Sequence, residues 1–75
     1  MKSAAEIIQE LEPMYKEDPQ IFEFKASMYL AGNGNKRTRQ EVIYTLTGTK
    51  PPASKAGLTA CVIQLKIKYD QTSLF

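Results

Sequence analysis

Residues Leu58 to Phe75 read LTACVIQLKIKYDQTSLF, and the period assigned to that run decides the fold. From Cys61 to Tyr69 the apolar side chains alternate. Cys61, Ile63, Leu65, Ile67 and Tyr69 fall on one side, Gln64, Lys66 and Lys68 on the other, and only Val62 is out of step. Period two is the mark of a half-buried strand. Placed on a helix, Leu58, Cys61, Val62 and Leu65 form one stripe, while Ile63 and Ile67 fall away from it. The strand reading keeps the apolar set together, so it is the one adopted.

The same alternation appears upstream. Phe22, Phe24, Ala26, Met28 and Leu30 share one face of a strand, with Glu23, Lys25, Ser27 and Tyr29 on the other. As a helix, the apolar residues of 20–31 would surround the cylinder. Gly32-Asn33-Gly34-Asn35 then supplies residues suited to a tight reversal. Glu41 to Thr47 is rich in β-branched and aromatic residues, which favour strands. The stretch from Gly48 to Gly57, containing Pro51-Pro52, reads as a loop. Nearer the start, Ser3-Ala4-Ala5-Glu6 has the form of a capping box, and Ile7, Ile8, Leu11 and Met14 or Tyr15 follow at helical spacing. Pro13 should stop or kink that helix. Asp18-Pro19 reads as a turn or as an N-cap followed by a first-turn proline.

The expected fold class is therefore α+β: one N-terminal helix packed on a three-stranded antiparallel meander. Residues 1–70 make a single small domain, and 71–75 a C-terminal docking tail. A rival reading is all-α. Thr38-Arg39-Gln40-Glu41 is also a capping-box pattern, Gly48 suits a helix C-cap, and Ser54 could cap a helix running through Leu65. Those signals would make a helix-turn-helix with Ser54, Lys55 and Thr59 opening the recognition helix.

Composition narrows the chemistry. A chain of 75 residues buries only roughly 60–65% of its unfolded surface, so a partner or a second copy, as in a homodimer, would add to its stability. Histidine is absent, which removes the commonest general base and metal ligand. The one cysteine, Cys61, forms no intramolecular disulfide and suits a reducing cytoplasm. No apolar run approaches a membrane span, and Glu6, Glu10 and Glu12 interrupt the N-terminus, against a signal peptide. No nucleophile with an adjacent base is visible. The expectation is a cytoplasmic protein that is not an enzyme, with no cofactor, no metal and no membrane partner.

Net charge is +2, unevenly spread. Residues 1–31 hold Lys2, Lys16 and Lys25 against six carboxylates, a net −3, whereas residues 32–75 hold seven cations against Glu41 and Asp70, a net +5. On the strand reading the outer sheet face and the hairpin tip collect Lys25, Tyr29, Lys36, Arg37, Arg39, Lys66 and Lys68. Cations with an exposed ring are the ingredients of a single-strand nucleic-acid platform, where phosphates meet Lys and Arg and a base stacks on Tyr29.

The final five residues, Gln71-Thr72-Ser73-Leu74-Phe75, end in two apolar side chains. Gln-x-Ser-Leu-Phe at a free C-terminus resembles the peptide by which polymerases and repair proteins of bacteria dock on the replicative sliding clamp. The resemblance implies that Gln71 is a polar anchor and that Leu74 and Phe75 fill an apolar pocket; Thr72 stands where that family usually has Leu. The function it implies is a small non-catalytic accessory protein of bacterial or phage DNA metabolism, docked on the clamp with a basic surface near DNA. Two other functions stay open: a helix-turn-helix regulator, and a phage-type inhibitor that binds a host protein.

Overall fold

The computed structural model describes residues 2–73 and is all-α: α1 (Ala4–Glu17), α2 (Phe22–Asn33), α3 (Lys36–Thr47) and α4 (Leu58–Ser73), with no strand among the described residues. The expected helix-on-meander α+β fold is overturned. Both alternating runs lie on helices, in α2 and α4.

The reason is a coincidence of spacing. In α4 the residues facing the core are Cys61, Val62, Leu65 and Tyr69, all at or below 5% exposure, whereas Ile63 and Ile67 are 49% and 44% exposed. Side chains four apart share a helix face. An inner row at 61, 65, 69 and an outer row at 63, 67 are offset by two residues, and together they print an alternation. In α2 the inner row is Phe22, Ala26 and Leu30 and the outer row Phe24 and Met28. The stripe that the helical reading of 58–65 isolates is the buried one.

Helix α1 follows its sequence signals. The Ser3 hydroxyl oxygen accepts from the Glu6 amide at 3.2 Å, and Ile7, Ile8, Leu11 and Tyr15 are buried. The helix runs on through Pro13 to Glu17. Asp18 then caps a 3₁₀ turn at Pro19–Ile21, accepting from the Gln20 amide. Helix α3 is capped by Asn35, whose side-chain oxygen accepts from both the amide and the hydroxyl of Thr38. It stops at Gly48, which takes φ +74, a left-handed cap that glycine adopts without a Cβ penalty. Ser54 and Lys55 lie in a short 3₁₀ turn, and α4 starts only at Leu58. At its other end α4 continues through Gln71 to Ser73, so Gln71 belongs to the last helix. Leu74 and Phe75 lie outside the described residues.

Helix α3 rests on α1 and α4, and α2 rests mainly on α4; α2 and α3, joined by only Gly34 and Asn35, make little contact. Ile7, Leu11, Phe22, Leu30, Val42 and Leu65 are fully buried between the helices. One end is closed by a ring cluster of Tyr15, Phe22 and Tyr69 with centroids 5.2–5.4 Å apart, in edge and stacked geometry. The Tyr69 hydroxyl donates to the Ile8 carbonyl at 2.6 Å, which satisfies the one polar atom that this ring buries.

Candidate nucleic-acid interface

With the sheet gone, its outer face goes too, and the expected binding residues scatter over three helices. Tyr29 on α2 is only partly exposed and already engaged: its hydroxyl donates to the Glu10 carboxylate, and the Lys2 ammonium sits 5.2 Å from its ring centre. It offers no free platform for a base. Lys25 is half-buried on the same helix. Lys66 pairs with Glu23 at 2.7 Å, tying α4 to α2. That hydrogen bond, then the carboxylate's charge, raises the Lys66 pKa above its usual value. Lys68 is partly exposed on α4. Arg39 turns inward, donating from its guanidinium to the Gly34 carbonyl at 3.0 Å, close enough to Cys61 to act on the thiol's charge.

Lys36 and Arg37 are exposed in the first turn of α3. From there the structure assembles a site that the strand reading missed. Arg37, Gln40, Glu41 and Tyr44 recur at the helical spacings of three, four and seven, which places them on one face of α3. Lys50, from the loop beyond Gly48, closes that face into a cleft of about 390 Å³. Tyr44 is 54% exposed, a large ring left in solvent between two cations. Arg37 is bridged to Glu41 at 3.7 Å with both side chains mostly in water, a pair worth little in stability and readily exchanged for a phosphate. In a strand, Arg37 and Tyr44 would face opposite ways, because seven is odd; only the helix brings them together.

A wider depression of about 570 Å³ lies beside the turn that leads into α3, lined by Lys2, Glu6, Gly32, Asn33, Gly34 and Asn35. It sets one cation against one anion and carries no ring, so it has neither the charge nor the stacking surface that a polyanion needs. Buried chemistry is quiet as well. Burial pushes the Cys61 thiol up to about 11 despite the opposing pull of Arg39, and it pushes the Tyr69 phenol up to about 12. A thiol held protonated is a core side chain, not a nucleophile. Among the described residues no three His, Cys, Asp or Glu side chains gather to hold a metal, and no helix is long and apolar enough to cross a membrane.

No protein-family model, curated protein or solved structure matches the chain.

Proposed function

We propose that this protein is a small non-catalytic accessory of DNA metabolism that holds single-stranded nucleic acid on the outer face of α3. The observation that supports this reading is Tyr44, exposed in a cleft between Arg37 and Lys50. A base stacks on the ring, worth roughly 1–3 kcal/mol by alanine substitution. Phosphates on either side meet the two cations and release their counterions. Gln40 and Glu41 line the same cleft and supply donors and acceptors for a base edge. Lys36, the exposed residue before Arg37, extends the positive potential along the strand. The acidic face of α1, with Glu6, Glu10 and Glu17 exposed, is repelled by the same polymer and so orients it.

The test is fluorescence anisotropy with a labelled oligonucleotide. Tyr44→Ala and the pair Arg37→Glu, Lys50→Glu should each weaken binding at least tenfold, and only the charge reversal should flatten the salt dependence. Lys25→Ala and Lys68→Ala should change little. Binding that is absent at low salt, or equal in the Tyr44 and Lys25 variants, removes nucleic acid from the account. Tighter binding to duplex than to single strand would favour groove reading by α3, with Arg37 and Gln40 on base edges.

The clamp-docking reading belongs to the same proposal. Gln71 is exposed in the last turn of α4, so it is available as the polar anchor, with Leu74 and Phe75 beyond it as the apolar plugs. Phe75→Ala should abolish binding to a purified bacterial sliding clamp while leaving oligonucleotide binding unchanged. A clamp that never binds would leave α3 as the whole of the function.

A further inference from the structure

Among the described residues, five of the six large apolar side chains exposed to solvent belong to α2, the turn that opens it, and α4: Ile21, Phe24, Met28, Ile63 and Ile67. They are not scattered. Phe24 and Met28 form the outer row of α2, and Ile63 and Ile67 the outer row of α4. These helices pack side by side, with the start of α2 against the end of α4, since Phe22 meets Tyr69 and Glu23 meets Lys66. The result is one face with two apolar rows.

We infer that this face is the interface of a symmetric dimer, in which the α2–α4 pair of one copy packs on the same pair of a second copy. The charge pattern chooses this occupant. The charges placed between the two rows are Glu23 and Lys66, and they cancel each other at 2.7 Å. A two-fold interface sets the same patch against itself, so that residue i of one copy meets j of the other and j meets i. A face of one sign would then place like charges together, a costly arrangement. The acidic face of α1 is disfavoured as a self-contact on that ground, whereas the neutral α2–α4 face meets no such repulsion. On that face Glu23 of one copy can also exchange its Lys66 for the one on the other.

The area agrees. At 1.5 Å per residue α2 is about 18 Å long and α4 about 24 Å, and two adjacent helices are about 20 Å across, so the face covers roughly 400 Å² in projection and more as accessible surface. A standard interface buries about 800 Å² per partner, and weak ones less; 800 Å² is about a sixth of the 4952 Å² of the protein's surface. The face is therefore of the size that gives a modest, concentration-dependent dimer. Four helices from two copies make a bundle across the axis, the packing that apolar rows four apart provide.

Sedimentation equilibrium of the full chain tests the inference. The expected mass is twice 8.4 kDa at roughly 100 μM, falling toward the monomer on dilution by mass action. Phe24→Glu and Ile67→Glu should each give a monomer with unchanged helical circular dichroism, because neither side chain is part of the core. Met28→Gln, a milder change, should raise the dissociation constant at least fivefold. Tyr44→Ala should leave the dimer intact. A monomeric wild-type chain overturns the inference, whether vesicles, a foreign protein or the chain's own Leu74 and Phe75 then prove to cover the face. A dimer that survives both glutamates but not Tyr44→Ala overturns it equally.

Discussion

Helices α1 and α4 carry similar apolar rows toward the core and opposite surfaces toward water. On α1 the inner row of Ile7, Ile8, Leu11 and Tyr15 is backed by exposed Glu6, Gln9, Glu10 and Glu17. On α4 the inner row of Cys61, Val62, Leu65 and Tyr69 is backed by Ile63 and Ile67. Helix α2 sides with α4, and α3, whose outer face carries Arg37, Gln40, Glu41 and Tyr44, is a third case. The difference separates two roles that hydrophobicity alone confounds. An inner row holds the domain together, and an outer row is available to something else. A helix with both shows little amphipathicity and prints a false period of two.

The largest test of this division lies in the inner row. Leu65 and Phe22 are fully buried, so Leu65→Ala should cost about 2–5 kcal/mol and Phe22→Ala about 3–5 kcal/mol in chemical denaturation. A domain this small has little more than that in reserve, and either variant should be largely unfolded at room temperature. Near-native stability in both would mean that the core is elsewhere.

That division also explains what was legible in the sequence. The start of α1 could be read because Ser3 and Glu6 stand at cap spacing and only one of its faces is apolar. The end of α3 could be read from Gly48. The strand assigned to 22–30 failed because Phe24 and Met28 fill the gaps between Phe22, Ala26 and Leu30, and Ile63 and Ile67 do the same in α4. Of the candidate site, Lys36 and Arg37 could be found as cations beside a turn. Tyr44 and Gln40 could not, because a strand scatters residues that a helix of period 3.6 aligns. Lys50 joins them only through the path of the loop, which no periodicity encodes.

A second test uses pH and again contrasts inner with outer positions. Cys61 and Tyr69 sit in the inner row of α4, where burial disfavours their charged forms. The folded protein keeps both protons at a pH where the unfolded chain gives them up. The stability this supplies is complete below about pH 9. It should fall from pH 9 to about 11 as the unfolded-state thiol and then the folded one ionise, and from pH 10 to about 12 for the phenol. Each group's contribution is lost across its own range. Urea titrations at pH 8 and pH 10.5 should therefore differ, the alkaline one unfolding earlier. Cys61→Val, which keeps the volume and removes the titration, should flatten the limb that begins at pH 9. An unchanged midpoint up to pH 11 would place both groups in contact with water.

The smallest expected effect is the most telling. Ile67 stands two residues beyond Leu65 on the same helix and is as apolar, yet it is 44% exposed where Leu65 is fully buried. In protein diluted until it is monomeric, Ile67→Ala should change the unfolding free energy by less than about 0.5 kcal/mol, the range of surface substitutions away from caps and networks. Phe24→Ala, at a site 68% exposed, should behave alike. In concentrated protein the same two variants should lower the melting temperature relative to wild type, because they remove surface that only an associated copy buries, and an association that favours the native state raises its apparent stability. The pairing of results matters more than either one. A loss at both concentrations would return Ile67 and Phe24 to the core and restore a single apolar set. No loss at either would leave the outer rows without a role. A loss confined to the concentrated sample is the outcome that the two-row reading of α2 and α4 requires.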